Sequence, residues 1–532
     1  MSDLEFLKQV NETIETNKED MISSLSHLLQ IPSVAVETPG EYPFGENVQK
    51  AYDAMLDMAR EEGFAVYNAD NYGGHIDFTG KGEGIVGVVG HLDVVPEGDG
   101  WSFDPYGGEV KDGWICGRGT TDDKGPVIAS FYGMKALKAC GYEPKKTIRL
   151  ILGLDEETNW HGMDHYLEHV AELPDLGFTP DGDFPAIHGE KGIIVFELVR
   201  KFKPFSGKGL ELSSLRGGTA ANSVADHSRA VVRDSAGGGY DKIKEMVQAF
   251  REEKNASGLN CQIRCKGIGK SLEITVQGVS AHGAKPEKGV NAITVLLEFL
   301  GRLNFASEDI NDFIEFYNSH IGYELHGESI GCGFSDEPSG KLVFNVGMAE
   351  FDKEAARLTI NIRYPVTMDD EKVYAGLMSV LDRYDIGIVK GKHQEPIYIP
   401  ADDPLIRTLM DIYEAHTGDT ESKPLVIGGG TYARAIPNTV AFGARFPDEI
   451  ELGHQKDERI SVDNMIRLAK IYAEAMYRLS ELEEEKDRIT APAPVQFFMK
   501  IVWSFAVKFD KSAVSVTIKN VVSLKNTRFG DF

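Results

Sequence analysis

The 532-residue sequence predicts an α/β protein: one discontinuous domain with a mainly parallel sheet flanked by helices, interrupted by an inserted α+β domain. Three observations carry this. From about residue 85 to 190, apolar β-rich runs alternate with helical patterns: IVGVVG, then PVIASFYGMKALKACG closed by Gly141, then TIRLILGL. Strand, helix, strand in that order is the pattern of a βαβ unit, whose strands run parallel. From about 190 to 385 the texture changes to half-exposed alternating strands, SLEITVQGVS and RLTINIRYP, around the helical run GVNAITVLLEFLGRL. From 386 to 485 the α/β texture returns and closes with the helix NMIRLAKIYAEAMYRLSELEEEK.

These shifts set the expected boundaries at 1–189, 190–385, 386–485 and 486–532. The first part opens with EFLKQVNETIETNKEDMISSLSHLLQIPSV, apolar at helical spacing up to Pro32, followed by short strands. The first and third parts are expected to build one domain around the second. The tail differs from everything before it, with eight Lys or Arg, three Asp and no Glu. There TAPAP breaks the preceding helix, FFMKIVWSFAV is too short to span a bilayer, and AVSVTIKNVVSL alternates like a strand. No function is read from it.

Composition excludes several roles. A formal net charge of −27 argues against nucleic-acid binding through phosphate neutralisation. No run of about 20 apolar residues suggests a membrane span. The start, MSDLEFLKQVNETIETNKED, lacks a basic region followed by an apolar one. Five cysteines without a CxxC pair are expected to be unlinked thiols in a reducing compartment. The expectation is a cytoplasmic protein with no nucleic-acid or membrane partner.

Chemistry concentrates where strands should end. IVGVV runs into GHLDVVPEGDGW, placing His91 and Asp93 two residues apart, on one side if the strand continues. CGRGTTDDKGP holds Asp122 and Asp123 before a helix, and LILGLDEETNW ends a strand with Asp155, Glu156 and Glu157. GFTPDGDFPAIHGEKG holds Asp181 and Asp183, and ARFPDEIELGHQKDERI places His454 in a loop. Taken singly, an acid pair at a helix start is usually a cap, and a loop His is usually just exposed. Together they aim acids and imidazoles at one edge of one sheet. Such crowding is costly for uncompensated carboxylates, and a metal cation relieves it. Imidazole plus carboxylate without cysteine suits Zn²⁺ or Mn²⁺. One Asp could bridge two ions about 3.5–4 Å apart, with a free Glu as base. His91 is then a ligand, and Asp93 the carboxylate that orients its ring.

GHLDVVPEGDGW, GRGTTDDKGP, DEETNW, PDGDFP and the late His454 occur in the order found in the dinuclear zinc dipeptidases of the peptidase V type, which this sequence closely resembles over about residues 10–480. The wider clan holds aminoacylases, succinyl-diaminopimelate desuccinylases and carboxypeptidase G. The resemblance implies two Zn²⁺ per chain, with Mn²⁺ as an alternative. One ion would take His91, Asp122 and Asp181, the other Asp122, Glu157 and His454, with Asp122 bridging. Glu156 matches the general base, Asp93 the residue behind His91, and the Asp122–Asp123 bond a cis position. The outer domain would be catalytic and the insert a lid. In the insert, GVSAHGAKPEKGVNA presents His282, matching the residue that polarises the scissile carbonyl. RGGTAANSV presents Asn222 and INIRYP presents Arg363, both matching residues that hold the substrate end. The glycine-rich IGGGTYAR, with Gly430 and Thr431, matches a loop near the substrate carboxylate.

The expected activity is hydrolysis of dipeptides bearing a free C-terminal carboxylate. An N-acyl-amino-acid deacylase or desuccinylase of the same clan shares the chemistry, so the ligands alone do not discriminate. The insert, about twice the size expected in the dimeric deacylases, favours the dipeptidase and a monomer. A catalytically silent metal-binding protein is the third reading, against which Glu156 stands beside Glu157. The tail has no counterpart in the family.

Overall fold

A computed structural model describes residues 2–204, 207–236 and 239–483. The apolar run FFMKIVWSFAV and the strand-like run AVSVTIKNVVSL of the tail lie outside the described residues.

Two large sheets organise the chain up to Glu481. The first runs, edge to edge, through Ala65–Asn68, Gly74–Phe78, Thr147–Gly153, Ile85–His91, Leu176–Thr179, Thr439–Ala441, Ile187–Glu190 and Ile397–Tyr398, with Leu425–Ile427 also paired to Ile187–Glu190. Its centre is parallel: Ile85–His91 pairs with Thr147–Gly153 and with Leu176–Thr179, which pairs with Thr439–Ala441. Antiparallel strands close both edges. Strands from 65–190 and from 397–441 thus share one sheet.

The βαβ unit follows from the sequence. Every residue of Ile85–His91 is buried, as a strand covered on both faces requires. The intervening helix, Lys124–Ala139, is buried along most of its length because the long helix Val462–Glu481 lies against it. Gly133 makes that approach close: a Cβ there would sit 3.0 Å from both Ala469 O and Ala473 N. The end of the described chain is therefore packed on its first βαβ unit.

The second sheet is wholly antiparallel, ordered Gln262–Ile268, Ser271–Gln277, His227–Asp234, Leu210–Gly217, Val343–Phe351, Ala355–Tyr364, Gly192–Lys201 and Gly387–Gln394. Alternate residues Leu272, Ile274 and Val276 are buried, the period-two pattern of a sheet with one wet face. They join a core completed by helices such as Ala292–Leu300, whose first turn Asn291 caps by accepting from Ile293 N and Thr294 N. The last strand of this sheet, Gly387–Gln394, lies beyond position 385, because it adds to the edge of Gly192–Lys201.

The chain passes directly from the first sheet to the second at Glu190–Gly192 and returns at Gln394–Ile397. The first crossing is tight: a Cβ on Gly192 would collide with the Tyr364 ring. Both crossings meet Arg434, which donates to Lys191 O (2.7 Å), to Gly429 O (2.8 Å) and to Glu395 O. Arg434 Nε also lies 2.7 Å from Glu190 Oε2, too bent for a regular hydrogen bond but close enough for ion pairing.

Candidate active site

The buried strand Ile85–His91 ends at His91, so Asp93 belongs to the following loop rather than to the strand. Its backbone oxygen lies 2.9 Å from His91 Nδ1 and its carboxylate 3.4 Å away. Nδ1–H therefore donates to the Asp93 carbonyl, and Nε2 keeps its lone pair for the cleft. The Asp93 carboxylate does a second job. Its two oxygens accept from Glu156 N and Glu157 N, both at 3.1 Å, and so fix the turn that carries those acids.

Asp122 stands between two imidazoles. Its Oδ1 is 3.1 Å from His91 Nε2 and its Oδ2 is 2.9 Å from His454 Nε2. His454 Nε2 is also 2.8 Å from Glu157 Oε1, and His91 Nε2 is 3.9 Å from Asp181 Oδ2. The Asp122–Asp123 peptide bond is cis. Asp123 Oδ2 accepts from His91 N at 3.1 Å. The structure thus brings His91, Asp93, Asp122, Glu156, Glu157, Asp181 and His454 together from five separate stretches of chain. Donor atoms of His91, Asp122 and Glu157, and of His91, Glu156 and Asp181, lie within 4.8 Å of one another.

The electrostatics show what this cluster lacks. Burial pushes Glu156 well above the usual carboxylate range, and Asp181 and Glu157 add to it. Burial and the Asp122 charge raise Asp181 to about 7. Hydrogen bonds to Asp122 and Glu157 raise His454 to about 11. Five carboxylates, Asp93 included, crowd two imidazoles, and ionising all of them together is costly without a cation. This donor set fits divalent cations bound by nitrogen and oxygen, and no cysteine takes part.

The residues expected from the insert are placed as follows. His282 is exposed in the loop after Ser271–Gln277, and its Nδ1 accepts from Ala284 N at 3.2 Å. The proton of the neutral ring is therefore on Nε2. Burial lowers this histidine, as do the charges of Arg363, Lys285 and His454, with Glu451 opposing. His454 and Glu451 belong to the loop of the first-sheet region, so the His282 loop faces it within one chain. Gly428 meets the same loop, since a Cβ on it would be 3.0 Å from Ala284 Cβ. Asn222 is exposed, and its carbonyl accepts from Gly283 N at 2.7 Å. Arg363 is 5% exposed and donates to Asn361 Oδ1 at 3.0 Å; burial and Arg434 lower it to about 10. Thr431 is committed elsewhere: its hydroxyl donates to Glu190 Oε1 at 2.8 Å and accepts from Ala433 N. Gly430 serves packing, because a Cβ there would lie 2.7 Å from Arg434 Nε.

Sequence reasoning missed the residues that hold these in place. Arg118 and Glu458 form a fully buried ion pair at 2.6 Å. Glu458 Oε1 also accepts from Gly119 N (3.1 Å), Thr121 N (2.8 Å) and Thr121 Oγ1 (2.9 Å). Asn345, 2% exposed, donates to Ala221 O and Ser223 O, the carbonyls on either side of Asn222. In the sequence these look like ordinary loop and strand polar residues, and only their burial marks them.

The fold and the crowded carboxylate–imidazole cluster define an α/β protein with a candidate metal centre at strand ends. A profile described as Peptidase family M20/M25/M40 matches residues 87–478, and the chain belongs to that family. It is 36% identical over 469 residues to "Putative dipeptidase YtjP" of Bacillus subtilis (strain 168), spanning 87% of this chain and 98% of the relative. It is 37% identical over 474 residues to a "Putative dipeptidase" of Staphylococcus epidermidis, spanning 88% and 98%. Among solved structures, aminoacylhistidine dipeptidase from Vibrio alginolyticus is similar at a TM-score of 0.52 and 16% identity, covering 86% of this chain and 96% of that one. The di-peptidase Dug1p from Saccharomyces cerevisiae is similar at 0.51 and 16%, covering 90% and 99%. These two likenesses show the fold.

Proposed function

We propose that this peptidase is a metal-dependent dipeptidase acting on dipeptides with a free C-terminal carboxylate, and that it works as a cytoplasmic monomer. The observation that carries the reading is Asp122, whose two oxygens face His91 Nε2 and His454 Nε2 on opposite sides. His91, Asp122 and Asp181 would hold one Zn²⁺ or Mn²⁺, and Asp122, Glu157 and His454 a second. Bound there, the ions supply electrophilic polarisation and lower the pKa of water.

The chain's own groups do the rest. Glu156, whose carboxyl burial raises above the usual carboxylate range, accepts the proton of the attacking water. It returns that proton to the leaving amine nitrogen. His282, with its proton on Nε2, donates to the carbonyl oxygen as negative charge develops there. Arg363, nearly buried and without an acidic partner among the described residues, pairs with the substrate carboxylate. The insert is the lid that brings these two residues over the outer, catalytic domain. Both named relatives are dipeptidases by their printed names, which supports this substrate class over N-acyl amino acids. No helix among the described residues is long and apolar enough to cross a membrane.

The test is one assay set: dipeptides, tripeptides and N-acyl amino acids, each with added Zn²⁺ or Mn²⁺. Dipeptides are expected to be cleaved fastest. Faster release of acyl groups would move the assignment to the deacylases, and no turnover of any class would leave a metal-binding protein.

A further inference from the structure

We propose that Asp70, His165 and His169 form a further binding site, for one divalent transition-metal ion. One donor atom from each lies within 4.8 Å of the others, and none belongs to the groups around His91. His165 and His169 are four residues apart on the helix His161–His169, so they share one face. Their rings stack at 3.9 Å between centroids, and Tyr72 stacks on the other histidine partner, His165, at 4.2 Å.

One donor is oriented by its own helix. His169 Nδ1 lies 2.7 Å from His165 O, so its proton goes to that carbonyl and Nε2 is left as the lone-pair donor. His165 Nε2 is 3.4 Å from Asp70 Oδ2. Asp70 sits at the tip of the turn joining Ala65–Asn68 to Gly74–Phe78, with φ of 52°. That turn is fixed by Asn68 Oδ1 accepting from Asn71 N at 2.8 Å and by Ala69 N donating to Gly73 O at 2.9 Å. A rigid turn therefore presents a carboxylate to a helical pair of imidazoles. Side-chain rotation brings such donors to the spacing of an ion with bonds of about 2.0–2.1 Å. Two imidazoles and one carboxylate select Zn²⁺, Ni²⁺ or Cu²⁺ over Mg²⁺ or Ca²⁺. The position is partly open to solvent, as free exchange with the medium requires.

The intact protein, isolated with whatever metal it holds tightly, is titrated with Zn²⁺ by calorimetry, and with Mg²⁺ as the contrasting ion. Wild type is expected to take up one more equivalent of Zn²⁺ than the His165→Asn/His169→Asn variant, and none of this extra uptake is seen with Mg²⁺. Asp70→Asn should keep the stoichiometry and weaken that equivalent by about tenfold or more. Equal Zn²⁺ uptake by wild type and the double variant overturns the proposal, as does an unchanged affinity in Asp70→Asn. The readout does not depend on which substrate is cleaved.

Discussion

Arg118 and Glu458, 340 positions apart in the chain, meet at 2.6 Å with neither exposed to solvent. The pair lies between two of the proposed ligands. Arg118 stands four residues before Asp122, and Glu458 four after His454. Because Glu458 also accepts two amide protons from the 119–121 loop, it sets how far apart those ligands stand. Removing one partner of a buried pair costs about 3–5 kcal/mol. Glu458→Ala is expected to lower unfolding free energy by that order in denaturant melts and to lower metal content. A double replacement by apolar residues should recover much of the stability but not the metal content.

Glu156 and Glu157 are adjacent yet face different partners. Glu157 Oε1 contacts His454, while Glu156 groups with His91 and Asp181, their donor atoms within 4.8 Å of one another. Glu156→Ala is expected to abolish turnover with metal content unchanged. Glu157→Ala should lose metal. Metal analysis of the two purified variants checks the assignment, and the opposite pattern exchanges the two roles.

His282 lies in the other sheet region from every proposed ligand. Its loss should leave metal content intact and lower kcat by about 10²–10³-fold, the usual effect of one oxyanion donor. Since the His282 loop meets Gly428 within the same chain, specific activity should stay constant through a dilution series, with mass followed by light scattering. Activity that disappeared on dilution would assign the donor to a second subunit.

Arg363 should discriminate acids from amides. Dipeptide amides are expected to be much poorer substrates than free dipeptides, and Arg363→Ala should erase most of that gap. Equal kcat/KM for both in the unaltered protein would remove the carboxylate clamp.

His75 gives a pH dependence away from the ligands. Burial, with help from Arg149 and against Asp77, pushes it down to about 4, while its Nδ1 sits 2.8 Å from Tyr166 Oη. Above pH 6.5 the ring is neutral both folded and unfolded, and its contribution is fully present. As pH falls from 6.5 toward 4, only the unfolded chain takes up the proton, so stability falls, by about 3 kcal/mol at most. Unfolding free energies of wild type and His75→Gln measured across that range should converge as the pH drops. Parallel curves would show that the histidine does not titrate this way.

The strand-end motifs were legible because buried apolar runs such as IVGVV and TIRLILGL leave no apolar reason for HLD and DEE at their tips. His454 was legible only through the family pattern, since nothing local in GHQKDERI marks it. A two-residue spacing puts His91 and Asp93 on one face only where the strand continues; it stops at His91, and a backbone carbonyl makes the closest contact. The second sheet passes 385 because an edge strand as exposed as Gly387–Gln394 carries little apolar alternation. Arg118, Glu458 and Arg434 were silent, because their partners lie hundreds of residues away or are backbone carbonyls. No spacing rule encodes such contacts.

Arg434 has a mechanical consequence. The polypeptide crosses between the two sheets twice, and this one guanidinium is bonded to a carbonyl of each crossing. A solid body pinned at two points keeps a single freedom, rotation about the line through them. While those bonds hold, any turning of the second sheet would be confined to that of a door on its hinge pins. His282, distant in sequence from both pins, would then travel along an arc and come back to the same point.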